Sequence, residues 1–234
     1  MAELEPVILA KAAEQAGRHD DMATYMGQRM SMGPPYTTEE RELFSAAFKY
    51  SLSERRSAVR IAIASAEDSR SQGKNDLYNL SIGYKSKVEA ELKDVCNKAL
   101  QLLGDIILPS ANPGEDKTYY LKMTGDYNRY LAEVSENEAR DSIAERARMA
   151  YSTAMAEAAT LQYTNPVRLG LALNFSVFQY EVLRDAANAI ATARTTLDNA
   201  SNEMQELERM AQSPTEDALL TTRLLQENLL LWEG

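Results

Sequence analysis

The 234-residue sequence predicts an all-α protein. Glycine (10 residues) and proline (7 residues) are both scarce, which favours long helices over an all-β fold that needs many turns. Between the few helix breakers, apolar residues recur with a period near 3.6, which is typical of amphipathic helices. No segment has the alternating pattern of a half-buried β-strand. A hydrophobic fraction of 44% indicates a globular chain with a core.

Turn-forming clusters divide the sequence into about nine predicted helices. The predicted ranges are 4–17, 20–31, 38–70, 76–107, 114–135, 137–160, 166–183, 186–209 and 214–232. The third and fourth have about thirty residues each, so they should be roughly 45 Å long. We expect residues 1–234 to form a single domain.

Three helix starts have residues that could cap the first turn. Thr37 is followed three residues later by Glu40, which is the spacing of a capping box. Asn112 and Ser213 each precede a proline, and an acidic residue follows within the first turn. These side chains could accept hydrogen bonds from backbone N–H groups that have no helical partner.

Charge and cysteine content narrow the possible classes of protein. The formal net charge of −10 disfavours a general surface for nucleic acid or anionic membranes. Cys96 is the only cysteine and lies in an apolar helical stripe, which predicts a buried thiol in a reducing compartment. The sequence has no secretory signal and no run of 18 apolar residues, so we expect a cytoplasmic or nuclear protein without membrane insertion.

The sequence also argues against an enzyme. Its single histidine, His19, cannot supply the two Glu-x-x-His pairs of a helical di-iron site or the several His and Cys ligands of a zinc site. No serine lies in a nucleophile-elbow motif, and neither common glycine-rich phosphate loop is present. We therefore expect no catalytic residues, no metal and no cofactor, and we interpret His19 as a surface or interface residue.

Two basic sets have the spacing of a helical face. In "FKYSLSERRSAVR", Lys49 and Arg56 are seven residues apart, which is two helical turns, and Arg60 lies four residues further on. In "YYLKMTGDYNRYLAEV", Lys122 and Arg129 have the same spacing, and Tyr130 adjoins Arg129. Such side chains can donate to a phosphate, but each set could equally be a solvated surface row.

A third set consists of polar residues inside apolar helices. The segment "RLGLALNFSVFQYEVL" carries Asn174 and Glu181, and "LLQENLLLW" places Asn228 and Trp232 on one face. An asparagine amide both donates and accepts, so it can bind a peptide main chain, while Trp232 offers an apolar body and an N–H donor. The alternative is that Asn174 satisfies an internal group and Trp232 belongs to the core.

These segments, together with "AEQAGRHDDMATYM", resemble five segments of the 14-3-3 family in the same order, from about residue 4 to residue 232. The resemblance implies a cup of nine antiparallel helices with an amphipathic groove, and two cups to a dimer. It also implies a non-catalytic adaptor in signal transduction that binds phosphoserine or phosphothreonine segments of client proteins. The dimer could be a homodimer or a heterodimer with another family member.

The resemblance assigns roles to individual residues. The residues that match the phosphate-binding set are Lys49, Arg56, Arg129 and Tyr130. Those that match the peptide-binding positions are Lys122, Asn174, Glu181, Asn228 and Trp232, with an apolar wall of Leu173, Val177, Leu224 and Leu231. Those that match the dimer interface are Arg18, Asp21, Tyr84, Lys87 and Glu91. Lys87 and Glu91 could instead form an exposed pair one helical turn apart.

Several positions depart from the family pattern. Asn128 and Gln179 stand where tyrosines are usual, and Gln226 stands where an arginine is usual. Ala58 replaces a serine whose phosphorylation is tied to dimer dissociation in some members, so that switch should be missing. The peptide preference beyond the phosphate therefore stays open.

Overall fold

The computed structural model describes residues 4–233, and all of the regular secondary structure in that range is helical. The first four helices are α1 (Leu4–Gln15), α2 (His19–Ser31), α3 (Thr38–Ser71) and α4 (Asn75–Leu102). The next five are α5 (Glu115–Glu133), α6 (Asn137–Glu157), α7 (Pro166–Glu181), α8 (Ala186–Arg209) and α9 (Glu216–Glu233). The predicted all-α class is confirmed.

Two of the predicted helices end in a different helical form. The predicted range 76–107 begins as α4, but Leu103–Ile107 is a π-helical turn, which a three-residue helical turn, Leu108–Ser110, follows. Both Leu103 and Ile107 are fully buried, so the wider turn keeps the apolar stripe in the core. Similarly, α6 ends in a 3₁₀ turn at Ala158–Thr160.

The chain divides into two compact units between Ser110 and Ala111. The prediction of one domain over residues 1–234 stays a prediction, and residues 1–3 and 234 lie outside the described residues. No helix within residues 4–233 is both long enough and apolar enough to cross a membrane.

In the first unit, consecutive helices pack against each other: α1 on α2, α2 on α3, and α3 on α4. The core side of α2 consists of Met22, Met26 and Met30, which recur every four residues and are fully buried. Phe44 of α3 is also fully buried, as is Cys96 of α4. The prediction of a buried thiol is therefore confirmed.

A buried ion pair fixes the connection between α2 and α3. Arg29 Nε donates to Glu40 Oε1 at 2.6 Å, and Arg29 also donates to the backbone carbonyls of Gly33 and Pro35. Glu40 closes the predicted capping box with Thr37, because the Glu40 N–H donates to Thr37 Oγ1 at 3.1 Å and Glu40 Oε2 accepts from the Thr37 N–H at 2.7 Å. One carboxylate thus starts α3 and binds the end of α2.

The other two predicted caps are wrong. α5 follows Gly114, whose φ of +90° is in the region that favours glycine, and Asn112 makes no side-chain cap. At α9, Thr215 Oγ1 accepts from the Ala218 N–H at 3.2 Å, so Thr215 takes the role predicted for Ser213. In both cases the helix starts one or two residues later than the proline pattern indicates.

In the second unit, α7 packs against α5, α6, α8 and α9. One side of α7 adds Leu171 and Phe178 to a core with Tyr151 of α6. The other side adds Leu169 to a core with Ala193 of α8, and with residues of α9. Because α7 is buried on two sides, its sequence is an almost continuous apolar run.

Candidate functional site

A buried carboxylate, Asp126 of α5, contacts three of the predicted binding residues. Lys122 Nζ donates to Asp126 Oδ2 at 3.0 Å, and Arg129 Nη2 lies 3.8 Å from Asp126 Oδ1. Asn174 of α7 donates from Nδ2 to Asp126 Oδ1 at 2.8 Å. Residues 122, 126 and 129 share one face of α5 because they are four and three residues apart. The packing of α7 on α5 brings in Asn174.

Tyr151 of α6 completes this cluster, although no sequence pattern predicts its role. Its hydroxyl donates to Asp126 Oδ1 at 2.6 Å and accepts from Arg129 Nε at 3.3 Å. The side chain is fully buried. Burial and the neighbouring Asp126 carboxylate raise the pKa of Tyr151 well above its usual range, so the phenol keeps its proton and remains a donor.

The charges in the cluster stabilise one another. Burial by itself would raise the pKa of Asp126, but the positive charges of Lys122 and Arg129 outweigh this effect and lower it. Burial would likewise lower the pKa of Lys122, but the Asp126 carboxylate raises it. The carboxylate and the two cations are therefore all ionised at neutral pH.

The guanidinium of Arg129 is held on several sides. Besides its bond to Tyr151, Nη1 donates to Glu133 Oε1 at 3.0 Å, and Cζ lies 4.4 Å from the centre of the Tyr130 ring. These two hydrogen bonds use two of the five guanidinium donors. Arg129 is only 6% exposed, so its orientation is set by the protein rather than by solvent.

The bond to Asp126 also fixes the amide orientation of Asn174. An ionised carboxylate can only accept, so the amide nitrogen must face it. The amide oxygen and the second N–H then remain as an acceptor and a donor suited to a peptide main chain. The internal role that the sequence left open for Asn174 is therefore present, and it is compatible with peptide binding.

The remaining peptide-binding residues of the second unit lie on α7 and α9. The Trp232 ring stacks on Tyr180 with centroids 4.7 Å apart and planes 14° apart. Trp232 and Leu173 are both half-buried and pack against the core that α7, α8 and α9 share. Asn228 and Val177 are also half-buried, whereas the exposed residues of the set are Glu181, Leu224 and Leu231.

The other two residues predicted to bind phosphate lie on α3, in the first unit. Lys49 is exposed, and Arg56 is half-buried. Arg60, which follows on the same helix, is exposed. The predicted phosphate-binding set therefore draws residues from both compact units.

The predicted dimer residues all belong to the first unit. Arg18 donates to Asp21 of the same chain, three residues away. Tyr84 is 52% exposed and Lys87 is also exposed, both on α4. Glu91 Oε2 lies 3.6 Å from Arg55 Nε, a second pairing inside the chain. These residues lie at the surface, and their role in a dimer stays a prediction.

His19 is held at the start of α2. Its Nδ1 lies 2.6 Å from Glu54 Oε1 of α3, and its ring centre lies 4.9 Å from that of Tyr50. The side chain keeps about a quarter of its surface exposed. It is therefore partly exposed and pairs with a carboxylate.

The departures from the family pattern occupy different environments. Asn128 is buried; it donates to the Thr124 carbonyl at 2.8 Å and accepts from Arg146 Nε at 3.3 Å. Gln179 is also buried, and its Oε1 has no hydrogen-bond partner among the residues that the structure describes. Gln226 is exposed on α9.

These features define an all-α protein with a pre-organised cluster of cations and an amide. Comparison with known proteins then identifies its family. A family model described as 14-3-3 protein matches residues 9–233. The chain is 42% identical to 14-3-3 protein homolog 1 of Schistosoma mansoni over 97% of this chain and 88% of that protein. It is 42% identical to 14-3-3-like protein 2 of Caenorhabditis elegans, over 97% and 90% of the two chains. It is 41% identical to 14-3-3 protein zeta of Xenopus laevis, over 97% and 91%. The chain belongs to the 14-3-3 family.

Proposed function

We propose that this protein is a non-catalytic adaptor that binds phosphoserine or phosphothreonine segments of client proteins and, as a dimer, regulates those clients in signalling. The observation that carries the proposal is the cluster around Asp126, which fixes the guanidinium of Arg129 and the amide of Asn174. Membership of the 14-3-3 family supports the same function.

The phosphate would be bound by charged donors. In the proposal these are Lys49, Arg56 and Arg129, and Tyr130 adds a neutral hydroxyl donor. A phosphoserine carries about −1.5 to −2 charges and three acceptor oxygens at neutral pH. Each charge-assisted hydrogen bond contributes roughly 1.5–3 kcal/mol. The protein's net charge of −10 gives no general attraction for anions, so a local cluster must supply it.

The peptide on either side of the phosphate would be bound by amides and apolar side chains. Asn174 and Asn228 would pair with the peptide main chain, and Lys122 and Glu181 would contact polar groups. The apolar contacts would come from the side chains of Leu173, Val177, Leu224, Leu231 and Trp232. An extended segment leaves its N–H and C=O groups unpaired, so asparagine side chains can satisfy both.

The proposal also includes the binding partners of the protein and its cellular compartment. Two subunits, in a homodimer or heterodimer, would hold two binding sites at a set separation, so a doubly phosphorylated client would bind with a high effective concentration. The net charge of −10 disfavours binding to nucleic acid. We place the protein in the cytoplasm or nucleus, where its clients would be phosphorylated, and assign it no cofactor, metal or membrane insertion.

The decisive experiment is a fluorescence titration with a labelled phosphoserine peptide and with the same peptide without its phosphate. Lys49→Glu should weaken binding at least about tenfold, since tenfold corresponds to about 1.4 kcal/mol and the change replaces a phosphate donor with a repelling carboxylate. Circular dichroism should show unchanged helicity, because Lys49 is exposed.

Lys74→Glu is the matched control. Lys74 is exposed and precedes α4, and its replacement by glutamate changes the net charge by the same amount as Lys49→Glu. Lys74 follows the C-terminal end of α3, whereas Lys49 lies in the N-terminal half of that helix. Lys74→Glu should bind the peptide as the wild type does. Equal affinity for the phosphorylated and unmodified peptides would contradict the proposal and favour a helical scaffold that binds unmodified segments.

A further inference from the structure

The middle of α5 has a glycine where a helix would ordinarily favour alanine. A Cβ atom built on Gly125 would lie 2.6 Å from Tyr151 Cε1 and 2.7 Å from Tyr151 Cδ1, which is closer than real Cβ contacts come. Tyr151 is fully buried, so its ring cannot simply move into solvent. Gly125 therefore allows the Tyr151 ring to lie directly against the backbone of α5.

This close approach puts the Tyr151 hydroxyl between two charged side chains. It donates to Asp126 Oδ1 at 2.6 Å and accepts from Arg129 Nε at 3.3 Å. Asp126 Oδ1 also accepts from Asn174 Nδ2 at 2.8 Å. A single hydroxyl thus connects the proposed phosphate-binding guanidinium with the carboxylate that orients the proposed main-chain amide.

Packing alone does not account for the hydroxyl. A phenylalanine would fill the space beside Phe175 and Phe178, with which the Tyr151 ring packs at centroid distances of 5.5 and 5.4 Å. Without the hydroxyl, Arg129 Nε would lose this acceptor, and only the Glu133 and Asp126 carboxylates and the Tyr130 ring would be left to hold the guanidinium. The donors that face an anion would then be less well oriented, which lowers affinity.

We infer that Tyr151, seated on Gly125, is a positioning residue that orients Arg129 for phosphate binding. The inference rests on the proposed function, because Arg129 is the residue through which Tyr151 acts. Tyr151 itself would not contact the bound peptide. The Tyr151 hydroxyl should therefore affect peptide affinity only when residue 129 is an arginine, whose guanidinium it can orient.

The test is a double-mutant cycle of the full chain with the labelled phosphoserine peptide. Tyr151→Phe should weaken binding roughly fivefold to tenfold, which is the loss expected for one hydrogen bond to a charged group. In the Arg129→Lys background, which keeps the charge but removes the guanidinium fork, Tyr151→Phe should change affinity less than about twofold. Equal losses in both backgrounds, or no loss in the wild-type background, would overturn the inference.

Tyr36→Phe is the matched control, because it removes a hydroxyl that donates to the Met30 carbonyl at 2.8 Å within the first unit. It should leave peptide affinity unchanged. The cycle also separates the two proposals. If the wild type does not bind the phosphopeptide, the proposed function fails; if it binds but Tyr151→Phe and Arg129→Lys are additive, only the positioning role fails.

Gly125→Ala tests the same inference should Tyr151→Phe not fold. Alanine favours a helix interior, but here its Cβ would displace the Tyr151 ring and with it the hydroxyl. We expect binding to weaken about fivefold or more while helicity is kept. Gly27→Ala in α2 is the control, since its Cβ would meet only Leu102 Cδ1 at an ordinary 3.6 Å. Unchanged binding by Gly125→Ala would contradict the positioning role.

Discussion

Asp126 shows how one residue can set the properties of several others. Its carboxylate accepts hydrogen bonds from Lys122, Tyr151 and Asn174, and Arg129 lies beside it. Removing one member of a buried ion cluster is costly because the remaining charges keep their desolvation penalty without their partner. The stability of the second unit and the geometry of the proposed site should therefore both depend on this carboxylate.

We expect Asp126→Asn to lower the free energy of unfolding at pH 7 by roughly 3 kcal/mol. The folded-state pKa of Asp126 is lowered, so its contribution is fully present above its unfolded pKa of about 3.9. That contribution is lost as the pH falls through the folded pKa. Urea denaturation of both proteins between pH 7 and pH 3 should show the difference in stability shrinking below about pH 4.

Asp141→Asn is the matched control for this measurement. Asp141 is largely exposed and its pair with Arg140 at 3.4 Å is a surface contact, so its replacement should leave stability nearly unchanged. A difference between wild type and Asp126→Asn that stayed constant down to pH 3 would show that the charge of Asp126 is not what stabilises the fold.

At the scale of helices, the sequence predicts the features that depend on residues only a few positions apart. The 3.6-residue period gave the helices, and the spacing of Thr37 and Glu40 gave the capping box that the structure contains. The predicted caps at Asn112 and Ser213 are wrong because nearby residues start the helix instead. Gly114 adopts a positive φ, and the hydroxyl of Thr215 is closer to the first turn. The choice between neighbouring polar residues depends on backbone geometry, which the pattern does not specify.

The candidate site likewise contains one residue that short spacings could predict and one that they could not. Asp126 lies four residues after Lys122 and three before Arg129, so helical spacing could have identified it as their partner. Tyr151 is 25 residues from Asp126 and on another helix, so no local spacing indicates their contact. Only the packing of α6 on α5, through Gly125, brings it into the cluster.

The contact between α7 and α9 gives a direct optical test. Trp232 is the only tryptophan, and its ring stacks on Tyr180. Tyr180→Leu should shift the Trp232 emission to longer wavelength, because the indole loses the ring that shields it from water. The free energy of unfolding should fall by roughly 1 kcal/mol, the value of a stacked aromatic pair.

Tyr163→Leu is the control for the fluorescence measurement. Tyr163 belongs to the same unit but lies against Arg168, whose Cζ is 4.0 Å from the ring centre. Its replacement should leave the emission maximum in place. An unshifted spectrum for Tyr180→Leu would mean that Tyr180 does not shield the indole in solution.

At the scale of the whole molecule, charge decides how subunits and ligands can meet. The net charge of −10 on each chain means that two copies repel each other at long range. A dimer therefore needs short-range contacts of opposite charge and apolar surface. For this role we propose the exposed side chains of Lys87 and Tyr84 of α4 and the half-buried side chain of Asp21 of α2.

In the single chain, Asp21 pairs with Arg18, an exposed contact that solvent screens. Such a contact can be exchanged for one with another subunit at little cost, so the internal pair does not oppose the proposed dimer. Lys87 is exposed, so its charge is available for such a contact. What needs testing is whether the charges of Asp21 and Lys87 pair across the proposed interface.

Exchanging the charges of Asp21 and Lys87 tests whether these two side chains pair between subunits. Sedimentation at micromolar concentration should give twice the chain mass of 26.1 kDa for the wild type. Asp21→Lys and Lys87→Glu should each shift the protein towards the single-chain mass, because like charges would then face each other across the interface. Combining the two changes should restore the dimer, since opposite charges meet again. Lys74→Glu should have no effect. If the single variants dissociate and the combination stays monomeric, Asp21 of one subunit does not pair with Lys87 of the other, although the dimer itself stands.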